Sequence, residues 1–337
     1  MSRQAISQLT YPFPEVPAPG TTTEVAPGIR WLSMPLPFQL DHINLWLVGE
    51  DVVDTGIGNA ETRRLWAEIL GKRRVERVVV THYHPDHAGN AAWLCSRYGA
   101  EFWTTQGEYL TAHAVRTSSA GYTAEAVLEV FRRNGLDEAR AAKMASRRNR
   151  YAELVPEFPL AYRRIIEGDE LTIGGRRWRA IVGHGHAPEH LSLFCKEINT
   201  VIAGDMLLST ISTNVSVWSI DPEGDPLRLF LDSIARYRDL PADVLVLPSH
   251  GKPFRGAHQR VAQLEQHHEA RLSELMQALQ SPRSAAELLP VLFRRPLDAH
   301  QTFFAMGEAI AHLHYLYYAG RAQRDMGNDG IMRYATR

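Results

Sequence analysis

Apolar residues along the chain recur in two spacings, which predict strands that alternate with helices. Short β-branched and aromatic runs bounded by turn residues predict strands at 29–34, 43–48, 51–53, 75–80, 101–103, 171–173, 178–182, 191–194, 201–203 and 244–247. Spacings of three and four residues predict helices at 59–70, 88–98 and 226–237. Strands that alternate with helices in this way indicate an α/β domain built of layers.

Two stretches depart from this alternation. Residues 106–155 are mostly helical in pattern, with breaks at Gly121 and Gly135, and are predicted to be an insertion. From residue 257 onwards apolar residues repeat at helical steps, which predicts a helical extension. The predicted domains are therefore a main α/β domain at 1–256, with its helical insertion at about 106–155, and a helical C-terminal extension at 257–337.

Composition limits the classes of protein that this chain can be. Its 337 residues are 45% hydrophobic, enough for one large domain and a smaller one. The formal net charge of −1 provides no overall attraction to nucleic acid or to an anionic membrane, and no stretch has the length of a membrane span. The proline-rich first 20 residues predict an extended arm rather than a signal peptide. Cys95 and Cys195 are predicted to be buried thiols, and we expect a cytoplasmic protein.

The densest chemical signal is the run Thr-His-Tyr-His-Pro-Asp-His-Ala-Gly-Asn at residues 81–90, directly after a predicted strand. Imidazoles and carboxylates bind divalent metals, and this run offers four of them, at His82, His84, Asp86 and His87. Pro85 disfavours helix just before Asp86, so the chain leaves the strand as a turn. The side chains of His82 and His84 can then point the same way, as alternate residues of an extended chain do. Asp86 and His87 open the next helix and face a different point, so one loop can bind two metals. Ordinary surface histidines beside a helix-capping aspartate explain a lone His-X-His but not the whole run.

Three further candidate ligands lie just after predicted strands. His186 lies in Gly-His-Gly-His-Ala-Pro-Glu-His, Asp205 in Ala-Gly-Asp, and His250 in Leu-Pro-Ser-His-Gly. His184 and His190 compete with His186. We expect His190 to support the site by a hydrogen bond or by packing, because it opens the next strand. Each of these residues alone fits an ordinary turn, but the ends of strands are where α/β sheets place their chemistry, so together they predict one shared metal centre.

This ordered set of motifs resembles the metallo-β-lactamase superfamily over about residues 28–256. The resemblance implies a four-layered αβ/βα sandwich with metals at one edge of its two sheets. It also implies two sets of metal ligands joined by a bridging carboxylate, and an aspartate, Asp54, that orients the histidine loop. The first set is His82, His84 and His186, the second set is Asp86, His87 and His250, and the bridge is Asp205.

Two such metals imply hydrolysis by a metal-bound hydroxide. A water between two metals loses a proton near neutral pH, and one metal polarises the carbonyl or phosphoryl oxygen of the substrate. Asp86 is the candidate catalytic residue, which would orient the nucleophile and pass its proton to the leaving group. We expect two zinc ions, and iron or manganese would suit the same ligands.

The substrate is not determined by the fold, and local residues disfavour some classes. Residues 206–208 lack the tyrosine that many lactonases carry near this position. Ala187 replaces the serine or threonine of several β-lactamase classes, and Pro85 replaces the glycine that is usual in the tRNA-processing branch. The greatest likeness is to bacterial general hydrolases with a helical C-terminal extension, which are similar to an animal lactamase-like endoribonuclease with a winged-helix-like tail. It is carried by residues 36–45, 212–214, His267, His268, Arg271, 302–318 and 320–324.

Two functions therefore remain open. The first is hydrolysis of a small ester or thioester, which the near-zero net charge favours. The second is cleavage of single-stranded RNA, which needs local positive charge. Such charge occurs between residues 132 and 150, either as a solvated helix surface or as a cationic lid. Its members are Arg132, Arg133, Arg140, Lys143, Arg147, Arg148 and Arg150, against Asp137 and Glu138. The C-terminal extension would bind RNA, cap the site or form a homodimer contact.

Overall fold

The structure is a computed structural model that describes residues 9–38, 40–145 and 150–337. The described residues form two compact units. The first, which we call the sandwich unit, comprises the described residues within Met1–Arg116, Tyr151–Thr213 and Ser233–Ala262. The second, the helical unit, comprises the described residues within Thr117–Arg150, Asn214–Asp232 and Gln263–Arg337. Most of the predicted insertion thus groups with the C-terminal residues, and the domain division at residue 256 stays a prediction.

The sandwich unit contains two mixed sheets. The first has seven strands in chain order, β1 Thr23–Ala26, β2 Ile29–Pro35, β3 His42–Val48, β4 Asp51–Val53, β5 Arg77–Val79, β6 Glu101–Thr104 and β7 Arg163–Arg164. Strands β1 to β4 pair antiparallel, and β4 to β7 pair parallel. The second sheet runs in the order β8 Glu170–Ile173, β9 Arg176–Gly183, β10 His190–Cys195, β11 Thr200–Gly204, β12 Leu245–Pro248 and β13 Phe254–Arg255. Strands β11 and β12 pair parallel, and the other neighbours pair antiparallel.

The two sheets pack face to face. Trp31 and Trp46 of the first sheet share one buried apolar cluster with Trp178 and Leu191 of the second. On its other face, the first sheet packs against helices α1 Ala60–Leu70 and α3 Ala91–Tyr98. Side chains alternate along β10, so Ser192 points away from the core, and its Oγ lies 2.6 Å from Oη of Tyr237 in a short 3₁₀ helix. The predicted αβ/βα sandwich is confirmed.

The remaining helices are α2 Pro85–Ala88, α4 Gln106–Arg116, α5 Ala124–Arg133, α6 Glu138–Ala145, α7 Arg150–Leu154, α8 Pro226–Ala235, α9 Ala257–Ala278, α10 Ala285–Leu292 and α11 Ala299–Tyr318. Short 3₁₀ helices cover Ala120–Tyr122 and Arg236–Asp239. Helix α1 begins at the predicted position because the Asn59 side chain caps it by accepting from the N–H of Thr62. Among the described helices, none has the length and apolar character needed to cross a bilayer.

Three sequence predictions are corrected by the structure. The single helix predicted at 88–98 is two helices, α2 and α3, separated at Gly89 and Asn90. The extension is not helical to its end, because β14 Ala322–Met326 and β15 Met332–Thr336 form an antiparallel hairpin. Cys195 is buried as predicted, whereas Cys95 is half-buried.

Some predictions lie outside the described residues. They concern the first eight residues of the predicted arm, Gln39 within the 36–45 motif, and Arg147 and Arg148 of the basic cluster.

Candidate metal centre

The candidate ligands come from four turns that follow strands. The histidine run follows β5, His186 follows β9, Asp205 follows β11 and His250 follows β12. Within the run, Pro85 is the first residue of the one-turn helix α2, and His84 immediately precedes it. This geometry follows from the fixed φ of proline, which suits the first position of a helix and excludes helix before it.

One group of ligand atoms comes from His82, His84, His186 and Asp205, all within 4.8 Å of one another. Nε2 of His82 lies 2.9 Å from Nδ1 of His84 and 3.2 Å from Nε2 of His186. Oδ2 of Asp205 lies 3.4 Å from Nε2 of His186. Three imidazole nitrogens and one carboxylate oxygen therefore converge on one point.

A second group comes from Asp86, His87 and His250, again within 4.8 Å. Oδ2 of Asp86 lies 3.3 Å from Nε2 of His250 and 3.7 Å from Nε2 of His87. Oδ1 of Asp205 lies 3.5 Å from Nε2 of His87 and 3.7 Å from Nε2 of His250. The two oxygens of Asp205 thus face one group each, which is the arrangement expected of a bridging carboxylate.

The polar atoms of this cluster need a partner that the described side chains do not supply. Nε2 of His87 and Oδ1 of Asp205 are buried and have no hydrogen-bond partner among the described residues. Leaving such atoms unpaired is costly, and a divalent cation in each group would satisfy them. Imidazole and carboxylate ligands in these numbers suit zinc and other first-row divalent metals, so the residues present fit two metal ions.

The electrostatics of the cluster favour the protonation states that metal binding requires at His84 and Asp86, whereas at His87 they favour the protonated ring, which must lose a proton to bind a metal. Burial lowers the pKa of His84 to about 3. Burial also acts to lower the pKa of His87, but the negative charges around it, with Asp54 the strongest, raise that pKa to about 10. Burial acts to raise the pKa of Asp86, but His87 and His250 lower it to about 2. Because the carboxylate stays ionised and His84 stays neutral, both present lone pairs to a metal.

Asp54 holds the histidine loop through two contacts of its carboxylate. Its Oδ1 accepts from the backbone N–H of Thr81 at 2.8 Å, and its Oδ2 lies 2.8 Å from Nδ1 of His87. A hydrogen bond at Nδ1 leaves Nε2 of His87 directed at the second group. This is the orienting position that the resemblance implied for Asp54.

The other two histidines of the second loop have separate contacts. Nδ1 of His184 donates to the carbonyl of Pro188 at 2.6 Å, so His186 rather than His184 joins the first group. Nε2 of His190 accepts from the backbone N–H of Asp205 at 3.0 Å. His190 therefore positions Asp205, in the supporting place that we expected.

Two residues near the site were not predicted. Glu108 of α4 is 1% exposed, and its carboxylate accepts from the backbone N–H groups of Tyr83 and Glu189. Tyr151 of α7 donates from Oη to the carbonyl of Tyr83. The sequence held one signal for Glu108, which shares the buried face of α4 with Thr111 and Ala112. An acidic residue on the inward face of a helix needs hydrogen-bond donors, and here two backbone groups supply them.

The predicted cationic lid is partly neutralised by its own neighbours. Arg132 pairs with Glu125 and Glu138, each at 2.8 Å, and Arg140 pairs with Asp137. These exposed pairs contribute little stability, but they reduce the positive charge that is available to a substrate. The lid stays a prediction.

A sandwich of two sheets with clustered histidine and aspartate side chains at the ends of its strands is the arrangement expected of a metallo-hydrolase. Residues 40–250 match the profile of the metallo-beta-lactamase superfamily, and residues 272–337 match that of the metallo-beta-lactamase-like, C-terminal domain. The chain belongs to the metallo-beta-lactamase superfamily.

Known proteins with similar folds or sequences agree with this membership. A crystal structure of a beta-lactamase domain protein from Burkholderia ambifaria is 47% identical, with a TM-score of 0.91 and 98% of each chain covered. A probable metallo-hydrolase of Bacillus subtilis is 26% identical over 88% of this chain and 93% of its own length. An atrochrysone carboxyl ACP thioesterase of Aspergillus fumigatus is 22% identical over 80% of this chain and 75% of its own length.

Proposed function

We propose that this chain binds two divalent metal ions, with zinc as the preferred metal, and hydrolyses a small ester or thioester. The observation that carries the proposal is the carboxylate of Asp205, which directs Oδ2 to the first group and Oδ1 to the second. Bound metals would supply a Lewis acid that polarises the substrate carbonyl and makes a water acidic near neutral pH.

The protein side chains would hold the metals and move the proton. Each metal would be held by its own ligand group, and Asp205 would hold both. Asp86 would orient the attacking water, accept its proton and deliver it to the leaving group. Its side chain is 16% exposed, so it reaches solvent where the buried His87 does not.

Two observations support the choice of a small ester or thioester. The net charge of −1 gives no general attraction for a polyanion. A relative that aligns with most of this chain is named as a thioesterase. Within the basic cluster, the pairing of Arg132 and Arg140 with acidic neighbours weakens the case for RNA. A cytoplasmic location and a homodimer contact through the extension stay predictions.

The test is a substrate panel with purified, metal-loaded protein. We expect turnover of acyl-thioesters or small esters and at least a thousandfold loss on His84→Ala or Asp86→Ala, roughly the cost of removing an essential catalytic group. His184→Asn is the matched control, because its amide can still donate to Pro188 and it belongs to neither ligand group. Near-normal turnover by either alanine variant would remove the proposed mechanism. Cleavage of single-stranded RNA, with binding that weakens steeply in salt, would support the endoribonuclease instead.

A further inference from the structure

We propose that Glu108 is a positioning residue that clamps together the two loops carrying the three imidazoles of the first metal group. The inference rests on the proposed metal binding and adds a residue to it. Glu108 touches no candidate ligand side chain in the contacts described above, so it would act through the backbone.

The clamp consists of one carboxylate shared between two loops. Oε2 of Glu108 accepts from the N–H of Tyr83 at 2.8 Å, and Oε1 accepts from the N–H of Glu189 at 2.6 Å. Tyr83 lies between His82 and His84, and Glu189 lies three residues after His186. Both bonds therefore fix peptides within the loops that supply the first group.

The same two residues are also held through their carbonyl groups. Oη of Tyr151 donates to the carbonyl of Tyr83 at 2.5 Å, and Oγ1 of Thr105 donates to the carbonyl of Glu189 at 2.7 Å. The side chain of Glu189 returns to helix α4, where its Oε2 accepts from the N–H of Gly107 at 2.7 Å. Each clamped residue is thus anchored at both its N–H and its carbonyl.

The chemistry of the clamp requires a carboxylate. Burial raises the pKa of Glu108 to about 8, and the two N–H groups that it accepts from act against this rise. In the ionised carboxyl both oxygens are acceptors, so both N–H groups are satisfied. A glutamine has nearly the same shape, but one of its two ends is an NH₂ donor, which would face an N–H and repel it. Glu108→Gln therefore breaks one of the two bonds with little change in side-chain volume.

The clamp should act on one metal group more than on the other. His87 of the second group is held instead by Asp54, through a different carboxylate. Loosening Glu108 frees the peptides beside His82, His84 and His186 and leaves the Asp54 contacts in place. Metal affinity should thus fall selectively at the first group.

The experiment is cobalt titration of the full chain, followed by visible absorption and by competition with a chelator. His84→Ala and His250→Ala assign the absorption bands to the first and the second group. We expect Glu108→Gln to weaken cobalt binding at the first group by about 10- to 100-fold, the usual cost of removing a residue that supports metal ligands. Tyr151→Phe removes the donor to the carbonyl of Tyr83 and keeps the ring. It should weaken cobalt binding at the first group less than Glu108→Gln does.

The matched control is Glu287→Gln in the helical unit. Glu287 also uses its carboxylate to accept a backbone N–H, that of Ser284. This control should lower thermal stability without changing the cobalt affinity of either group. The clamp is contradicted if Glu108→Gln leaves the cobalt affinity of the first group within twofold of wild type, or weakens cobalt binding at both groups equally. Wild-type protein that takes up no cobalt would contradict the proposed function itself.

Discussion

Asp54 combines a left-handed backbone conformation with two hydrogen-bonding roles. Its φ is 62°, a region that most L-residues avoid and that aspartate and asparagine tolerate best. Its carboxylate accepts from Thr81 and holds His87 at the same time. The backbone turn and the carboxylate together place the start of the histidine run.

Asp54→Asn should separate these two roles. Asparagine keeps the backbone conformation but offers only one acceptor oxygen for two partners. We expect metal affinity at the second group to fall by about 10- to 100-fold with little change in melting temperature. Asp54→Ala should lose the same affinity and, in addition, about 1–2 kcal/mol of stability from backbone strain. Equal metal affinity in wild type and Asp54→Asn would show that this carboxylate does not position His87.

At the scale of residues, the sequence was informative where ligands are close together in the chain. His82, His84, Asp86 and His87 could be predicted because proline and alternation fix their directions locally. The partners of Glu108 could not be predicted, because they lie 25 and 81 residues away and are backbone groups without a side-chain signature.

At the scale of elements, Gly89 lies between α2 and α3, where its backbone closely approaches two other backbone segments. A Cβ at Gly89 would lie 2.5 Å from N of Gly58 and 2.6 Å from O of Gly56. Its φ of −60° suits any residue, so the constraint on this glycine is steric. These backbone atoms cannot move aside as a flexible side chain can.

Gly89→Ala should therefore destabilise the fold by about 1–3 kcal/mol, the usual cost of overpacking. It should also lower metal content, because His87 lies two residues before it. Gly99→Ala is the control, since Gly99 has a φ of 68° and no atom within 4 Å of an added Cβ. That variant should lose stability through backbone strain alone and retain its metals. Calorimetry and metal analysis measure both effects, and a Gly89→Ala protein with wild-type stability would contradict the steric account.

Within the helical unit, helix α11 and the part of α9 from Gln263 onwards meet through two buried histidines. Nδ1 of His312 donates to the carbonyl of Glu308 at 2.8 Å, so its Nε2 is the acceptor for Nδ1–H of His268 at 3.1 Å. Nε2 of His268 is buried and has no hydrogen-bond partner among the residues that the structure describes. Both rings are therefore neutral, and burial lowers the pKa of His268 to about 3 and that of His312 to about 4.

This pair should make the protein sensitive to acid. The unfolded histidines have a pKa of about 6.5, so between about pH 6.5 and 4 the unfolded chain binds more protons than the folded chain. Stability should thus fall as the pH is lowered through this window, by about 1 kcal/mol per pH unit for each histidine. His268→Gln, which can still donate to His312, should flatten the curve of unfolding free energy against pH. Parallel curves for variant and wild type would contradict a neutral buried pair.

The elements that were predicted from sequence are those with a strong apolar period. The ten predicted strands and helix α1 agree with their places in the structure to within two residues. The edge strands β1, β7 and β13 have two to four residues each and were not predicted. The β14–β15 hairpin was missed because its outer positions are polar. The inward residues Ala322 and Tyr334 are buried, and most of the remaining hairpin residues are not.

At the scale of the whole molecule, all seven candidate ligands and their supporting residues Asp54, Glu108, Tyr151 and His190 belong to the sandwich unit. The layered fold could be predicted because alternating strands and helices have few arrangements that bury both faces of a sheet. The grouping of residues 117–150 with the C-terminal residues could not, because local periodicity does not report contacts between distant parts of the chain.

The central claim is that seven side chains hold two divalent metals through one shared carboxylate. Its most direct test is the metal stoichiometry of metal-free protein after dialysis against zinc, for wild type, His84→Ala and His250→Ala. We expect two zinc ions per wild-type chain and the loss of one ion, from opposite groups, in each variant. Wild-type protein that binds no zinc, or variants that both retain two ions, would contradict the account.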